Sequence, residues 1–191
     1  MKYLTTAFFA AVALIFTSGC TVKLDHKPLT KPAMTQSGAV SVSPKASGVS
    51  ERVGWGTFTV FAIPVAPAYF EPAAGENVMK GISDALAISG YSPSITGMVE
   101  GKKRIVCEVK EPSFRNYTYF FPIVFTWGGL TLDVRVVNSA GATVWNRSAE
   151  GGNFNLYPFG GFEAAGRSSI TKALNALAND FSSAEFAAAI R

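Results

Sequence analysis

Histidine and cysteine are scarce in this chain of 191 residues, which contains one histidine and two cysteines. His26 has no second imidazole beside which to hold a metal ion, and zinc sites need clusters of histidine and cysteine. Nothing in the surrounding sequence fixes His26 next to a nucleophile, which disfavours a Ser-His-Asp or Cys-His arrangement. Walker and dinucleotide-binding glycine motifs are missing as well. We therefore expect a protein that is not an enzyme and holds no metal.

One short motif resembles an enzyme signature. Ser169 and Lys172 fit Ser-x-x-Lys, the motif in which penicillin-binding enzymes activate a serine. The companion Lys-Thr-Gly motif is missing, and Ser169 falls near the start of a predicted helix, where serine is common as a cap. We interpret the match as coincidental.

Charge is sparse too, at 16% of residues, with a formal net charge of +4. From residue 51 onward, basic and acidic residues are equal in number, so the positive excess lies nearer the N-terminus. Nucleic-acid binding needs a clustered basic face, which this distribution disfavours. We expect no nucleic-acid partner.

Residues 20–50 contain few large apolar side chains and are rich in serine, threonine, proline, lysine and glycine. Such a segment buries too little surface to offset its ordering entropy, so the composition predicts a flexible tether. Its lysines either lie near anionic lipid headgroups or only keep the tether solvated. They are Lys23, Lys27, Lys31 and Lys45.

The longest apolar run near the N-terminus is short. Residues 7–16 are apolar and follow a positive charge at Lys2. This run is too short for a bilayer core, which needs about 20 apolar residues, and is typical of a secretory signal peptide. The residues from Thr17 to Gly19 are small and directly precede Cys20, which resembles the bacterial lipobox, although Thr17 replaces the usual leucine.

We therefore expect residues 1–19 to be a lipoprotein signal peptide. Cys20 would then carry a diacylglycerol and an N-linked acyl chain, with no other cofactor. Thr21 is not the aspartate that retains lipoproteins in the inner membrane, which favours the outer membrane. The alternative is an ordinary secreted protein cut near Gly19, with a free Cys20.

The second cysteine, Cys107, lies in a predicted strand over residues 102–111. If Cys20 is lipidated, Cys107 has no disulfide partner. A buried, inert thiol is the usual state of such a cysteine. The domain must then be stabilised by its hydrophobic core, which a domain of about 140 residues can supply.

Hydrophobic periodicity predicts an α+β domain over residues 51–191, in the order β-α-β-β-β-β-α. The expected architecture is a two-layer sandwich with a mostly antiparallel sheet and two helices on one face. A capping box from Ser182 to Glu185 predicts a further short helix at the C-terminus. The predicted elements are a strand over 57–63 ended by Pro64 and Pro67, a helix over 76–89 capped by Gly90, a strand over 130–137 after a break at Gly128 and Gly129, its hairpin partner over 143–150, a loop over 151–162 and a helix over 164–181.

This layout resembles a known class of proteins. The chain combines a lipobox, a polar segment, a β-α unit ending in Gly90-Tyr91, and the meander sequence Leu-Asp-Val-Arg-Val-Val-Asn-Ser-Ala-Gly-Ala-Thr-Val-Trp, ending at Trp145. It is similar to small Gram-negative envelope lipoproteins of the YajG-like and ABC-transport-auxiliary type. The resemblance implies a periplasm-facing domain with an accessory role in envelope transport or assembly, and it supplies no catalytic residues.

The run from Phe114 to Trp127 is unusually aromatic. It is interpreted either as a core strand, with Pro122 at an edge or bulge, or as part of an exposed apolar patch that contacts a partner or lipid. The candidate patch residues are Tyr117, Tyr119, Phe120, Phe121, Trp127, Tyr157, Phe159 and Phe162.

Three functions follow from these expectations. The leading hypothesis is a membrane-anchored lipoprotein, placed in the outer membrane, whose non-catalytic periplasmic domain is an accessory or scaffold that binds an envelope protein. The alternative is a carrier-like module for a lipid or other apolar ligand, which would need an enclosed apolar pocket. An enzyme is the third and least favoured.

Overall fold

The computed structural model describes residues 20–50, 52–58, 63–95, 103–120, 123–156 and 161–191. Within these residues the fold is α+β, with three helices and a curled, mixed sheet of eight strands. The strands are β1 (Cys20–Val22), β2 (Gly38–Val42), β3 (Arg52–Phe58), β4 (Ile63–Phe70), β5 (Tyr91–Ile95), β6 (Arg104–Phe120), β7 (Ile123–Val137) and β8 (Thr143–Leu156), and the helices are α1 (Ala74–Ile88), α2 (Phe162–Phe181) and α3 (Ala184–Ile190).

Strand β6 pairs with three other strands, β2, β3 and β7. One of its edges pairs antiparallel with β7, and β7 pairs antiparallel with β8. Its other edge is shared, because β2 pairs parallel with the first part of β6 and β3 pairs parallel with the later part. Beyond β3 the sheet continues through β4 to β1, and beyond β2 it continues to β5.

The predicted α+β class is confirmed, but the predicted strand order and mostly antiparallel sheet are wrong. The described part of the chain begins with two strands, β1 and β2. The sequence did not predict β1, and for β2 it indicated only a short β segment at residues 40–42 within the expected tether. Both pair in parallel with strands that follow much later in the chain. Together with the parallel pairing of β3 and β6, they make the sheet mixed.

The segment expected to be a flexible tether is packed into the domain in this structure. Val22, Leu24 and Val42 are fully buried although the segment as a whole is polar. Helix α2 comes close to the backbone here because residue 166 is glycine: a Cβ at Gly166 would lie 2.3 Å from the carbonyl oxygen of Lys23. A few apolar residues at the right positions therefore suffice to place the segment in the core.

Polar contacts hold the same segment along α2. The Thr171 hydroxyl accepts a hydrogen bond from the backbone N–H of Lys27, and one turn later Asn175 accepts one from the backbone N–H of Thr30. Arg167 also donates to Asp25. The bonds to Thr171 and Asn175 satisfy backbone groups that regular secondary structure leaves unpaired.

Strands β7 and β8 run through the glycine pairs that predicted a break and a loop. A Cβ at Gly128 would lie 2.1 Å from Cδ1 of Phe114, so the Phe114 ring occupies the space of the missing side chain. A Cβ at Gly151 would lie 1.9 Å from the carbonyl oxygen of Ser169 on α2. The glycines therefore mark close packing on the strands, which a single sequence does not distinguish from a turn.

The prediction that Pro64 and Pro67 end a strand is also wrong, since both lie within β4. They pair with β3, and β1 joins β4 only at Ala68–Phe70, beyond both prolines. Proline lacks an N–H to donate, so it is tolerated where no second strand needs that bond.

Helices α1 and α2 were predicted well and pack against each other. The Ser89 hydroxyl, fully buried after the end of α1, donates to the carbonyl oxygen of Ala178 on α2. Gly90 follows with a positive φ of 98°, as expected of a left-handed cap. The short helix α3 is capped by Ser183, whose hydroxyl accepts the Phe186 N–H, one residue later than the predicted cap.

Candidate functional site

The face of β6, β7 and β8 that points away from α2 carries an aromatic cluster at one end of the sheet. Strand alternation directs the even-numbered residues of β7, such as Thr126 and Gly128, towards the buried side, and Phe125 and Trp127 towards the outside. Neighbouring strands add further apolar side chains in register. We call this set the aromatic surface: Trp55, Tyr117, Phe125, Trp127, Phe154 and Leu156.

Several of these side chains are strongly exposed for their size. Phe154 is 63% exposed, Leu156 is 55% exposed, Trp55 is 39% exposed and Trp127 is 36% exposed. The rings also contact one another: Tyr117 and Trp127 stack with centroids 4.6 Å apart and planes 8° apart. The sheet thus presents a preformed apolar surface, and such surfaces on soluble domains commonly mark contact sites.

Cys20 lies in the same part of the sheet. Its register partner on β4 is Ala68, and the partner of Ala68 on β3 is Gly54, directly before Trp55. Two strand spacings separate Cys20 from Gly54, which places their Cα atoms about 10 Å apart. The backbone of Cys20 therefore lies at the same end of the sheet as the aromatic surface.

The charges at this end of the sheet are basic. The guanidinium of Arg52 lies 3.2 Å from the centroid of the Trp55 ring, a cation–π contact. Arg115 is exposed and lies in register between Trp55 and Trp127. Among the described residues of β8, the nearest acidic side chain is Glu150, about 13 Å from Phe154 at the ordinary rise per residue.

The opposite end of the same outward face is ionic. Lys110 donates to Asp133 at 2.8 Å, the Ser148 hydroxyl donates to the other carboxylate oxygen at 3.0 Å, and Arg135 pairs with Glu108 at 3.4 Å. These bonds, with that from Lys110 as the largest cause, lower the pKa of the Asp133 carboxyl despite its burial. The outward face is therefore divided into an apolar end and a polar end.

The Asp133 network predicts a stability loss in acid. Because the folded-state pKa of Asp133 is lowered, its contribution is complete above the unfolded pKa of about 4 and is lost as the pH falls below that value. We expect Asp133→Asn to lower the free energy of unfolding at pH 7 by about 1–2 kcal/mol. Urea denaturation at pH 7 and pH 3 should show that the variant loses less stability on acidification than the wild type.

Asp180 provides the matched control for this measurement. Burial raises the pKa of the Asp180 carboxyl, so its ionised form costs stability at neutral pH and acidification relieves that cost. Asp180→Asn should therefore lose more stability on acidification than the wild type. Equal pH dependence in the two variants would contradict the assignment of Asp133.

The structure places the expected patch residues in different environments. Tyr117 and Trp127 lie on the outward face and stack. Phe162 does not belong to the exposed patch, because it begins α2 and its ring packs into the core with 7% exposure. The backbones of Tyr119 and Phe120 lie in β6. The remaining three, Phe121, Tyr157 and Phe159, fall outside the described residues.

Four members of the aromatic surface are not among the predicted patch residues: Trp55, Phe125, Phe154 and Leu156. Phe125 lies within the aromatic run that the sequence singled out. Phe154 and Leu156 lie in the segment interpreted as a loop, and Trp55 lies ahead of the predicted first strand. The alternation of apolar residues at 154 and 156 could have predicted that the strand continues through this segment. The register with β7, which brings Phe154 beside Trp127, depends on long-range pairing that one sequence does not reveal.

His26 is held more firmly than expected. Its Nε2 lies 3.0 Å from Oδ2 of Asp84 on α1, and its Nδ1 lies 2.8 Å from the carbonyl oxygen of Lys27. Both ring nitrogens therefore face oxygen acceptors. The contacts join the N-terminal segment to α1, which is a structural role.

Ser169 and Lys172, the residues of the Ser-x-x-Lys match, also make structural contacts. The buried Ser169 hydroxyl donates to the carbonyl oxygen of Gly128, and the Lys172 ammonium donates to that of Gly152. The two groups bind separate backbone carbonyls on β7 and β8. They anchor α2 to the sheet.

Cys107 is buried, as expected, with 2% exposure. Burial, followed by the nearby carboxylates of Asp133 and Glu108, raises the pKa of its thiol to about 12. The reactive species of cysteine is the thiolate, so this side chain is inert at neutral pH.

A groove of about 430 Å³ lies at the ionic end of the molecule. It is open to solvent, and Lys103 and Arg191 contribute to its lining beside Val40 and Ile190. A carrier for an apolar ligand needs an enclosed, mostly apolar cavity. This groove is open to solvent and partly lined by charged side chains, so it does not meet that requirement.

No protein-family model matches the sequence, and no curated relative is found at a significant level. Solved structures show a distant likeness. A Xanthomonas campestris protein of family DUF330 has a TM-score of 0.46 and 13% identity over 86% of this chain and 93% of that chain. A minor lipoprotein from Acinetobacter baumannii has a TM-score of 0.42 and 12% identity over 81% and 93%. A PelC dodecamer from Paraburkholderia phytofirmans has a TM-score of 0.37 and 18% identity over 80% and 92%.

Among the described residues, no helix combines the length and apolar character needed to cross a bilayer.

Proposed function

We propose that this protein is a bacterial envelope lipoprotein whose folded domain is held at a membrane by acyl chains on Cys20. The domain is not an enzyme and acts by binding a partner in the envelope. In this proposal the signal peptide covers residues 1–19, the membrane is the outer membrane and the domain faces the periplasm.

A single observation carries the proposal. Cys20 directly follows an apolar run and the small residues Thr17, Ser18 and Gly19, which resembles a lipoprotein signal with Thr17 in place of the usual leucine. The structure supports an anchor at this residue, because Cys20 begins a sheet strand at the end of the sheet that carries the aromatic surface. Lipidation there would hold the sheet itself at the bilayer.

The accessory role is favoured by the side-chain chemistry. The groups that might have formed a catalytic site, His26, Ser169 and Lys172, are engaged in structural contacts. The domain instead exposes an outward sheet face, which is apolar at the end near Cys20 and ionic at the other end. The resemblance to YajG-like and ABC-transport-auxiliary lipoproteins agrees with a binding role in envelope transport or assembly.

Crosslinking in native membranes tests the binding role. An amine-reactive crosslinker applied to intact envelopes should capture the wild-type chain together with a second envelope protein, identified by mass spectrometry after purification of the tagged chain. The matched control is the same chain with Cys20→Ala, which keeps the surface lysines but lacks the anchor. Recovery of the wild-type chain alone, in material crosslinked to completion, would contradict an accessory role.

A further inference from the structure

The aromatic surface is exposed in the described structure and lies beside the proposed anchor, so its occupant can be argued from its chemistry. We infer that the aromatic surface is a membrane-docking face that lies at the headgroup level of the bilayer to which Cys20 is attached. This inference rests on the proposed lipidation of Cys20 and deepens it by fixing the orientation of the domain.

The geometry supports a bilayer as the occupant because the anchor and the surface share one continuous part of the sheet. A register row starts at Cys20 and crosses the sheet, and the next row along the strands carries the aromatic side chains. The first row is Cys20, Ala68, Gly54, Phe114, Gly128 and Asn153, and the second is Pro67, Trp55, Arg115, Trp127 and Phe154. The first row turns towards the buried side, as Ala68, Phe114 and Gly128 show, and the second row turns outward. Because Cys20 begins β1, which ends the strand order of the described sheet, acyl chains of about 15 Å, half the thickness of a bilayer core, can pass this edge and let the second row reach the membrane.

The residue types also suit the bilayer interface. Tryptophan and tyrosine are enriched at headgroup level, where an amphipathic ring meets both apolar and polar groups. Phe154 and Leu156 add exposed apolar area at the free edge of the sheet. The strands already present these side chains on one side of the sheet. Contact with the bilayer therefore does not require a helix face or a loop.

The basic side chains near the aromatic surface complement an anionic leaflet, which supports the same orientation of the domain. Arg52 and Arg115 lie within the surface and are exposed. Cationic side chains near an anionic leaflet each contribute attraction. Glu108 and Asp133 lie at the other end of the outward face and would face away from the lipid, and Glu111 and Glu150 lie between the two ends.

Tryptophan fluorescence of the lipidated mature chain in vesicles tests the inference. The vesicles would combine phosphatidylethanolamine with phosphatidylglycerol, either unlabelled or brominated near the headgroup end of the acyl chains. We expect brominated lipid to lower the emission of Trp55 and Trp127 about twofold, because both rings would lie at the interface. Their exposure to aqueous iodide should fall in parallel.

The third tryptophan supplies the control. Trp145 is buried against Phe181 and Phe186 on the helix side of the sheet. In the double variant Trp55→Phe/Trp127→Phe, which keeps a ring at each position, the remaining emission should be insensitive to brominated lipid. Equal quenching of this variant and the wild type would overturn the inference, since the signal would not come from the aromatic surface.

Two further outcomes would overturn the docking face. If Trp55 and Trp127 stay open to iodide and are not quenched by brominated lipid, the surface points to solvent. If they are shielded from iodide yet not quenched by lipid, a second copy or another protein covers them. Mass analysis of Cys20 in the same preparation separates these results from a failure of the anchor: an acylated Cys20 with unquenched tryptophans rejects the docking face alone.

Discussion

Replacing Cys20 with alanine should abolish the incorporation of labelled fatty acid and release the chain from the membrane fraction. Alanine has no sulfur to form the thioether bond to diacylglycerol. Each buried methylene contributes about 0.8 kcal/mol to membrane binding, so the loss of all acyl chains removes the dominant attachment. Metabolic labelling with an alkyne fatty acid, followed by fractionation, measures both effects.

The second cysteine makes a control of the same residue type. Cys107 is buried and its thiol is inert, so Cys107→Ala should incorporate the label as the wild type does. Label that persists after Cys20→Ala would show that the acyl chains are attached elsewhere. Label that is lost only when Cys107 is replaced would reverse the assignment of the two cysteines.

The second large effect is expected from Leu24→Ala. Leu24 is fully buried in a segment whose composition is typical of a flexible tether. Removing a buried leucine side chain costs about 2–5 kcal/mol through lost burial and the cavity that it leaves. Chemical denaturation should therefore give a markedly lower free energy of unfolding, whereas a true tether would give no change.

Leu156 is the matched control for Leu24. It is 55% exposed at the end of β8, within the aromatic surface. Leu156→Ala should change the free energy of unfolding by less than about 0.5–1 kcal/mol, because an exposed side chain leaves little cavity. A large loss at Leu156 would mean that this side chain is core material and does not form part of a surface.

Local patterns in the sequence predicted the elements that depend on neighbours in the chain. The alternation from Leu130 to Val137 gave the correct inward face, and the stripe of α2, including Ile170 and Leu177, is buried as expected. The helix over Ala74–Ile88 was predicted to within two residues at each end. In each case the periodicity itself records which side faces the core.

The sheet order could not be predicted because it depends on pairing between distant segments. Val22 is an isolated apolar residue in a polar context, and only its parallel partner on β4 makes it a strand residue. The alternation of Val40 and Val42 indicated a short β segment, but not its parallel partners on β5 and β6. Gly128 and Gly151 signal a turn by composition, but the contacts with Phe114 and Ser169 show tight packing. Tertiary contacts outweighed local preference at these positions.

The same reason explains which part of the candidate site was foreseen. The aromatic character of residues 114–127 is visible in the sequence, and so is the proposed lipidation site at Cys20. Their proximity is not visible, because it requires β1, β4, β3 and β6 to pair in that order. The position of Cys20 and the aromatic surface at one end of the sheet is therefore a result of the fold.

Mass spectrometry of the N-terminal peptide from chain purified out of native membranes tests the central claim most directly. We expect the mature protein to begin at Cys20 and this residue to carry a diacylglycerol and an N-linked acyl chain. A peptide that begins elsewhere, or a Cys20 with a free thiol in protein recovered from the soluble periplasm, would contradict it.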